Sequence, residues 1–352
     1  MRNAHVSLAA VTALGLVALA ASSHSPASAS TPPARLFRPI HPWSIGGEGG
    51  WDYLLADAEA RRLYVSHGTR VEVLDLDRGD SIGVIAPTPG VHGIAVAPEL
   101  GRGFISCGRD SSVLIFDLTT LRTLQRVALP ARNPDAILYE PLSKRVLTFN
   151  GGSANTTILD GTTGAIAGSL DLGGKPEFAV SDGKGRVFVN IEDRSEVVEL
   201  DPRGPRVVRR WSIAPGEEPS GLAIDRVHRR LFSVCGNQQM VVSDADSGKV
   251  IAIIPIGNGV DGVAFDAKRN LAISSNGQGT ITVVREDSAQ KFVVAETDTT
   301  QRGARTIALD ERTGTLFLTT ADYGPAPPPT PDRPRTRPTI VSGTFRVLLL
   351  KP

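Results

Sequence analysis

A chain of 352 residues exceeds any small disulfide scaffold and leaves room for two ordinary domains or one large all-β domain. Hydrophobic residues make up 41% of it, enough for a true core, and 38 basic residues face 37 acidic ones. So even a balance excludes a protein held to nucleic acid by net charge, while 36 glycines and 25 prolines suit a turn-rich β protein.

Residues 1–29 read as a secretory signal. Arg2 and His5 precede an apolar run from Val6 to Ala21, too short for a spanning helix of ~20 residues. Ala27-Ser28-Ala29 then offers an A-x-A cleavage pattern. Removing the segment takes away Arg2 and no acid, leaving 37 charges of each sign. The mature chain is expected in the periplasm or outside the cell, with no later membrane span and as a monomer.

The remainder repeats. A hydrophobic second strand recurs as Leu63-Tyr64-Val65, Gly103-Phe104-Ile105, Val146-Leu147-Thr148, Val187-Phe188-Val189, Leu231-Phe232-Ser233, Leu271-Ala272-Ile273 and Leu316-Phe317-Leu318, at intervals of 40 to 45 residues. Third strands end on Asp75, Asp117, Asp160, Asp201 and Asp244, with Arg285 in the sixth copy. An Asp there caps the following turn through its side chain, as in Asp160-Gly-Thr-Thr-Gly164. Seven copies of this length predict an all-β fold, a seven-bladed β-propeller of four-stranded antiparallel blades. The last copy has no fourth strand before Pro352, whereas Leu36 to Gly46 lies unpaired upstream and ends like the other fourth strands. The N-terminal strand is therefore expected to close the ring as the outer edge of blade 7, where Pro39 and Pro42 are tolerated. Residues 30–352 are read as one domain. Gly324 to Pro338, with seven prolines plus Arg333, Arg335 and Arg337, is read as an extended loop inserted in blade 7.

Leu63-Tyr64-Val65-Ser66, Val187-Phe188-Val189-Asn190 and Leu271 through Gly277 resemble the YVTN-type repeat of the YncE-like family of exported bacterial propellers. The likeness covers about residues 36–352 and implies the fold and export. It implies no single activity, since related propellers include binding scaffolds, lactonases and quinoprotein subunits. Trp51-Asp52 leads into a first strand, so it is not the WD dipeptide of WD40 repeats, which ends a third strand.

In such a blade the first strand lines the central channel, and the loop leading into it shares a face with the loop between strands two and three. The leading residues are Asp52, His92, Asp135, Glu177, Ser220, Asp261 and Arg305. The second ring offers His67, Arg109, Asp110, Asn150, Glu192, Asp193, Cys235, Asn237 and Asn276, and the link into blade 7 adds Thr300, Gln301 and Arg302. The densest candidate ligand site is Glu177, Glu192, Cys235, Asn237, Asp261, Asn276, Arg302 and Arg305, in blades 4 to 7, with His92 placed blades away. These carboxylates suit a hard divalent cation, and the arginines an anion. His228 is read as solvated on the opposite face, Trp211 as blade-edge packing, and Gly46 to Gly50 as a linker. Cys107 and Cys235 occupy equivalent places three blades apart, so two free thiols are expected.

No C-x-x-C, H-E-x-x-H or G-x-S-x-G motif occurs. The first reading is a non-catalytic scaffold that binds a small molecule or an envelope protein through the channel mouth, without an organic cofactor. The second is a metal-dependent lactonase-type hydrolase, with Glu177, Asp261, Asn276 and His92 around a divalent ion in the channel.

Overall fold

Short apolar runs separated by turns give twenty-eight strands among the described residues, β1 to β28 in chain order, arranged as seven four-stranded antiparallel sheets. The structure is a computed structural model that describes Met1 and residues 35–330, 336 and 338–352. Apart from Met1, the signal read at 1–29 lies outside the described residues, as do Arg333, Arg335 and Arg337. No helix among those described is long and apolar enough to cross a membrane.

The innermost strands are β2 (Leu54–Asp57), β6 (Val91–Ala97), β10 (Pro134–Glu140), β14 (Pro176–Ser181), β18 (Pro219–Asp225), β22 (Val260–Asp266) and β26 (Ile307–Leu309). Each touches the next, and β26 returns to β2, so they ring a central channel. Blade 7 runs β26, β27 (Leu316–Thr320), β28 (Arg346–Lys351) and then β1 (Arg38–Ser44) from the other end of the chain. Ile40 pairs with Leu349 and Trp43 with Val347, which is the closure the missing fourth strand demanded.

Apolar residues form seven clusters, each between two neighbouring blades, rather than one core. Second and third strands are buried on both faces because each blade packs against two others, whereas fourth strands such as Thr123–Ala128 stay largely exposed. At the closing seam Trp43 packs on Phe317 with ring centroids 5.5 Å apart, and Trp51 stacks on Phe345 at 5.1 Å.

Asp160 caps its turn by accepting from Thr162 and Thr163 N–H at 3.0 and 2.9 Å, and Gly164 at φ +75° closes it. One alignment needs correcting. Leu271 faces Arg285 across the sheet as Arg230 faces Asp244, so Ala272, not Leu271, is the counterpart of Leu231. Blade 6 has thus replaced a repeated Arg–Asp pair with Leu–Arg.

Candidate functional site: a carboxylate ring at the channel mouth

In blades 2 to 6 the register between first and second strands breaks at the leading residue. His92, Asp135, Glu177, Ser220 and Asp261 each sit in such a bulge. A bulge leaves one residue unpaired and turns its side chain out of the sheet, here into the channel. Buried side chains of the second strands hold the loosened backbone. Ser66 Oγ accepts from Asp52 and Tyr53 N–H at 3.0 Å each, and Asn190 Nδ2 donates to the Ser220 and Gly221 carbonyls at 3.0 Å. Ser106 and Ser275 donate to the Asp135 and Arg305 carbonyls of the next blade.

The seven leading residues therefore converge, and His92 is not remote. Its Nδ1 lies 2.6 Å from Asp52 Oδ2 and 3.6 Å from Asp135 Oδ1. Burial opposes the His92 charge, but the Asp52 hydrogen bond and the Asp135 carboxylate outweigh it and raise its pKa. Glu177 pairs with Lys175, which also holds Glu192. Arg305 Nε reaches Asp261 Oδ2 at 3.2 Å, and its Nη2 is 4.0 Å from Asp52. Burial first, then the Asp135 charge, pushes Glu177 up to about 8. Burial also raises Asp135, and carries Asp261 to about 6 against the pull of Arg305. These acids stand crowded and partly buried, with side chains 15% to 30% exposed.

Tyr53 forms the floor, stacked on Phe178 at 5.5 Å, with its hydroxyl pKa raised by burial and by the acids above. Beside it lies a cavity of about 30 Å³, room for about one water. Beyond this floor the channel widens toward the opposite face into a space of about 810 Å³ walled by Leu55, Val96, Leu138 and Val180. On the mouth face, a second pocket of about 430 Å³ lies beside the ring, lined by Trp51, Arg302, Arg305, Tyr323 and Ile340. The two ends of the blade 7 insertion meet there, with Gly324 N–H donating to the Thr339 carbonyl at 2.8 Å.

The structure brings Glu177, Glu192, Asp261 and Arg305 to one mouth with Asp52, His92 and Asp135. Arg302 lines the neighbouring pocket. Asn237 is engaged by the preceding loop, donating to the Pro215 carbonyl at 2.8 Å. Cys235 and Asn276 are fully buried, as are His67 and Asn150. They are the last residues of second strands and still lie within the paired sheet, whose two faces both pack on neighbouring blades, so their side chains turn into the seams. Asn276 donates to Thr280 and Thr282 hydroxyls at 3.1 Å each. Cys107 and Cys235 are free thiols, and burial pushes Cys235 up to about 12. His228, expected to be merely solvated, is in contact with two acids. Trp211 packs edge-on against Phe188 at 6.2 Å. Sequence reading missed Lys175 and Tyr53; each sits within two residues of a leading acid, which was the available signal.

No protein-family model and no curated protein sequence matches this chain. Among solved structures it is similar to U3-55K, a WD40 propeller, with a TM-score of 0.73 and 8% identity, over 90% of this chain and 98% of that one. At that identity the likeness shows the seven-bladed fold alone.

Proposed function

We propose that this chain is a non-catalytic binding scaffold, exported to the periplasm or beyond, whose mouth takes a ligand presenting a cationic centre, either a divalent ion or an amine. The observation that carries this reading is the ring of Asp52, Asp135, Glu177 and Asp261 around one mouth, in which burial first and then the neighbouring acids raise the pKa values of Asp135, Glu177 and Asp261. The Trp51–Tyr323 pocket beside Arg302 and Arg305 suits an apolar or anionic remainder of the same ligand. Export and kinship with YncE-like propellers rest on the N-terminal sequence and the repeat motifs. Calorimetric titration with Ca²⁺, Mn²⁺, Zn²⁺ and a primary amine tests the mouth. Binding present in the wild type and lost in a folded Asp135→Asn/Glu177→Gln variant supports it; identical binding by both sinks it.

A second reading, a metal-dependent lactonase-type hydrolase, is favoured by one feature. Asp52, His92 and Asp135 place ligand atoms within 4.8 Å of one another. One nitrogen and two carboxylate oxygens at that spacing fit a divalent ion, and the histidine inclines the set toward a first-row metal rather than Ca²⁺. Bound there, the ion would supply Lewis-acid polarisation of a carbonyl. Lactone hydrolysis by the metal-loaded protein, abolished by His92→Ala, would replace the scaffold reading.

A further inference from the structure

We propose that Asp225, His228 and Glu286 form a divalent-cation site, taking a first-row ion with Zn²⁺ foremost, on the face opposite the mouth in the seam between blades 5 and 6. Blade 6 departs from the repeat here. In blades 1 to 5 the residue after the third-strand acid is Leu76, Leu118, Gly161, Pro202 or Ala245, apolar or small in every case. Strand β24 (Thr280–Ser288) puts Glu286 in that place. The backbone confirms the equivalence: Leu76, Leu118, Gly161 and Ala245 N–H donate to the carbonyls of Arg61, Gly101, Lys144 and Arg229, and Glu286 N–H donates likewise to Asn270 at 2.9 Å.

A carboxylate has thus replaced an apolar residue inside a seam. The Glu286 side chain is 1% exposed, and among the described residues neither of its oxygens accepts a hydrogen bond, His228 alone standing within ion-pair distance. Leaving such a group ionised and unpartnered is strongly unfavourable, so it must hold a proton or meet a cation. In three other blades the acid closing the first-to-second-strand turn meets an arginine: Asp310 takes Arg61 at 2.9 Å, Asp182 takes Arg229 at 3.0 Å, and Asp266 takes Arg269 at 2.8 Å, while Asp57 and Glu140 are held by hydrogen bonds of their own turns. Asp225, 3% exposed, meets His228 and the second acid instead. Nearby, Arg230 is engaged by Asp244 and by the Ala289 carbonyl.

His228 Nδ1 lies 2.7 Å from Asp225 Oδ2 and 3.1 Å from Glu286 Oε1. One imidazole N–H satisfies one carboxylate at most. Ligands bound at ~2.1 Å to one ion stand roughly 3 Å apart, which is the spacing of His228 from each acid, and the three ligand atoms all lie within 4.8 Å of one another. His228, with its side chain 38% exposed, leaves the ion a route from solvent. Burial, then the Asp225 charge, pushes Glu286 up to about 7 against His228 and Arg230.

The test uses metal-free full chain. Co²⁺ absorption and Zn²⁺ calorimetry are measured on wild type, Glu286→Gln, His228→Ala, Glu286→Leu and the mouth variant His92→Ala. One equivalent that survives His92→Ala is expected at the far face, about tenfold or more weakened in Glu286→Gln and His228→Ala and lost in Glu286→Leu, whereas an equivalent removed by His92→Ala belongs to the mouth. Leucine stands at this place in two other blades, so the last variant keeps its far-UV circular dichroism. Wild type without saturable binding, or far-face variants that bind like it, overturns the site.

Discussion

The two ends of the molecule carry the same chemistry in opposite surroundings. At the mouth His92 stands between Asp52 and Asp135, all three side chains between 15% and 26% exposed, with Lys175 and Arg305 close by. On the far face His228 stands between Asp225 and Glu286, and the two acids are 3% and 1% exposed. An open ring can trade one counter-charge for another as a ligand arrives. A sealed pair of acids cannot, and it must hold a proton or a cation. Residue type is shared; burial decides what the cluster can do.

The largest expected effect breaks the comparison at its control. Arg61→Leu removes the counter-charge of Asp310, 1% exposed and left with the Arg312 N–H and the Thr313 hydroxyl, and should cost about 3 kcal/mol in urea unfolding. A cost under ~1 kcal/mol would mean that buried acids in these seams tolerate isolation, removing the case for a cation at Glu286. Next, Tyr53→Ala opens the channel floor and should cost about 2–3 kcal/mol. Water reaching the ring from below should also lower the Glu177 and Asp261 pKa values, read by NMR titration; unchanged values would mean that burial is not their cause.

The pH profile follows with a smaller effect. Folded Asp261 titrates at about 6, Glu286 at about 7 and Glu177 at about 8, all above ordinary carboxylates near ~4. Between those values the folded chain keeps protons that the unfolded chain has released, so stability falls as pH rises from ~4.5 to 8. Asp201 acts oppositely: its burial is outweighed by Arg186, which holds it at about 2, and its contribution is lost as pH falls below ~4. Melting temperature should peak near pH 5, and Glu177→Gln should flatten the alkaline limb. Glu286→Leu should raise stability by about 1 kcal/mol at pH 8, opposite in sign to Arg61→Leu. Smallest of all, Cys235 should resist a thiol reagent at pH 7.4 until the protein is unfolded, because its pKa of about 12 leaves almost no thiolate. Fast labelling of the native protein would show its seam to be open.

Much of the architecture was legible without coordinates. The recurring triplets, the third-strand acids and the unpaired segment before Gly46 define seven blades and their closure, because a propeller repeats one local pattern and each blade contacts only its neighbours. The leading residues were legible too, since Pro134-Asp135, Pro176-Glu177 and Pro219-Ser220 mark where each bulge begins. What these residues face was not. Asp52 and His92 lie 40 positions apart in sequence and 2.6 Å apart between neighbouring blades, while Cys235 and Asn276, taken for mouth residues, turn into the seams. Glu286 shows the same division: its departure from an apolar column is visible in the sequence, yet its meeting with His228 is not. Local pattern fixes a strand and its turns. Which side chains share a channel or a seam depends on how far each blade rotates onto the next, and only the closed ring decides that.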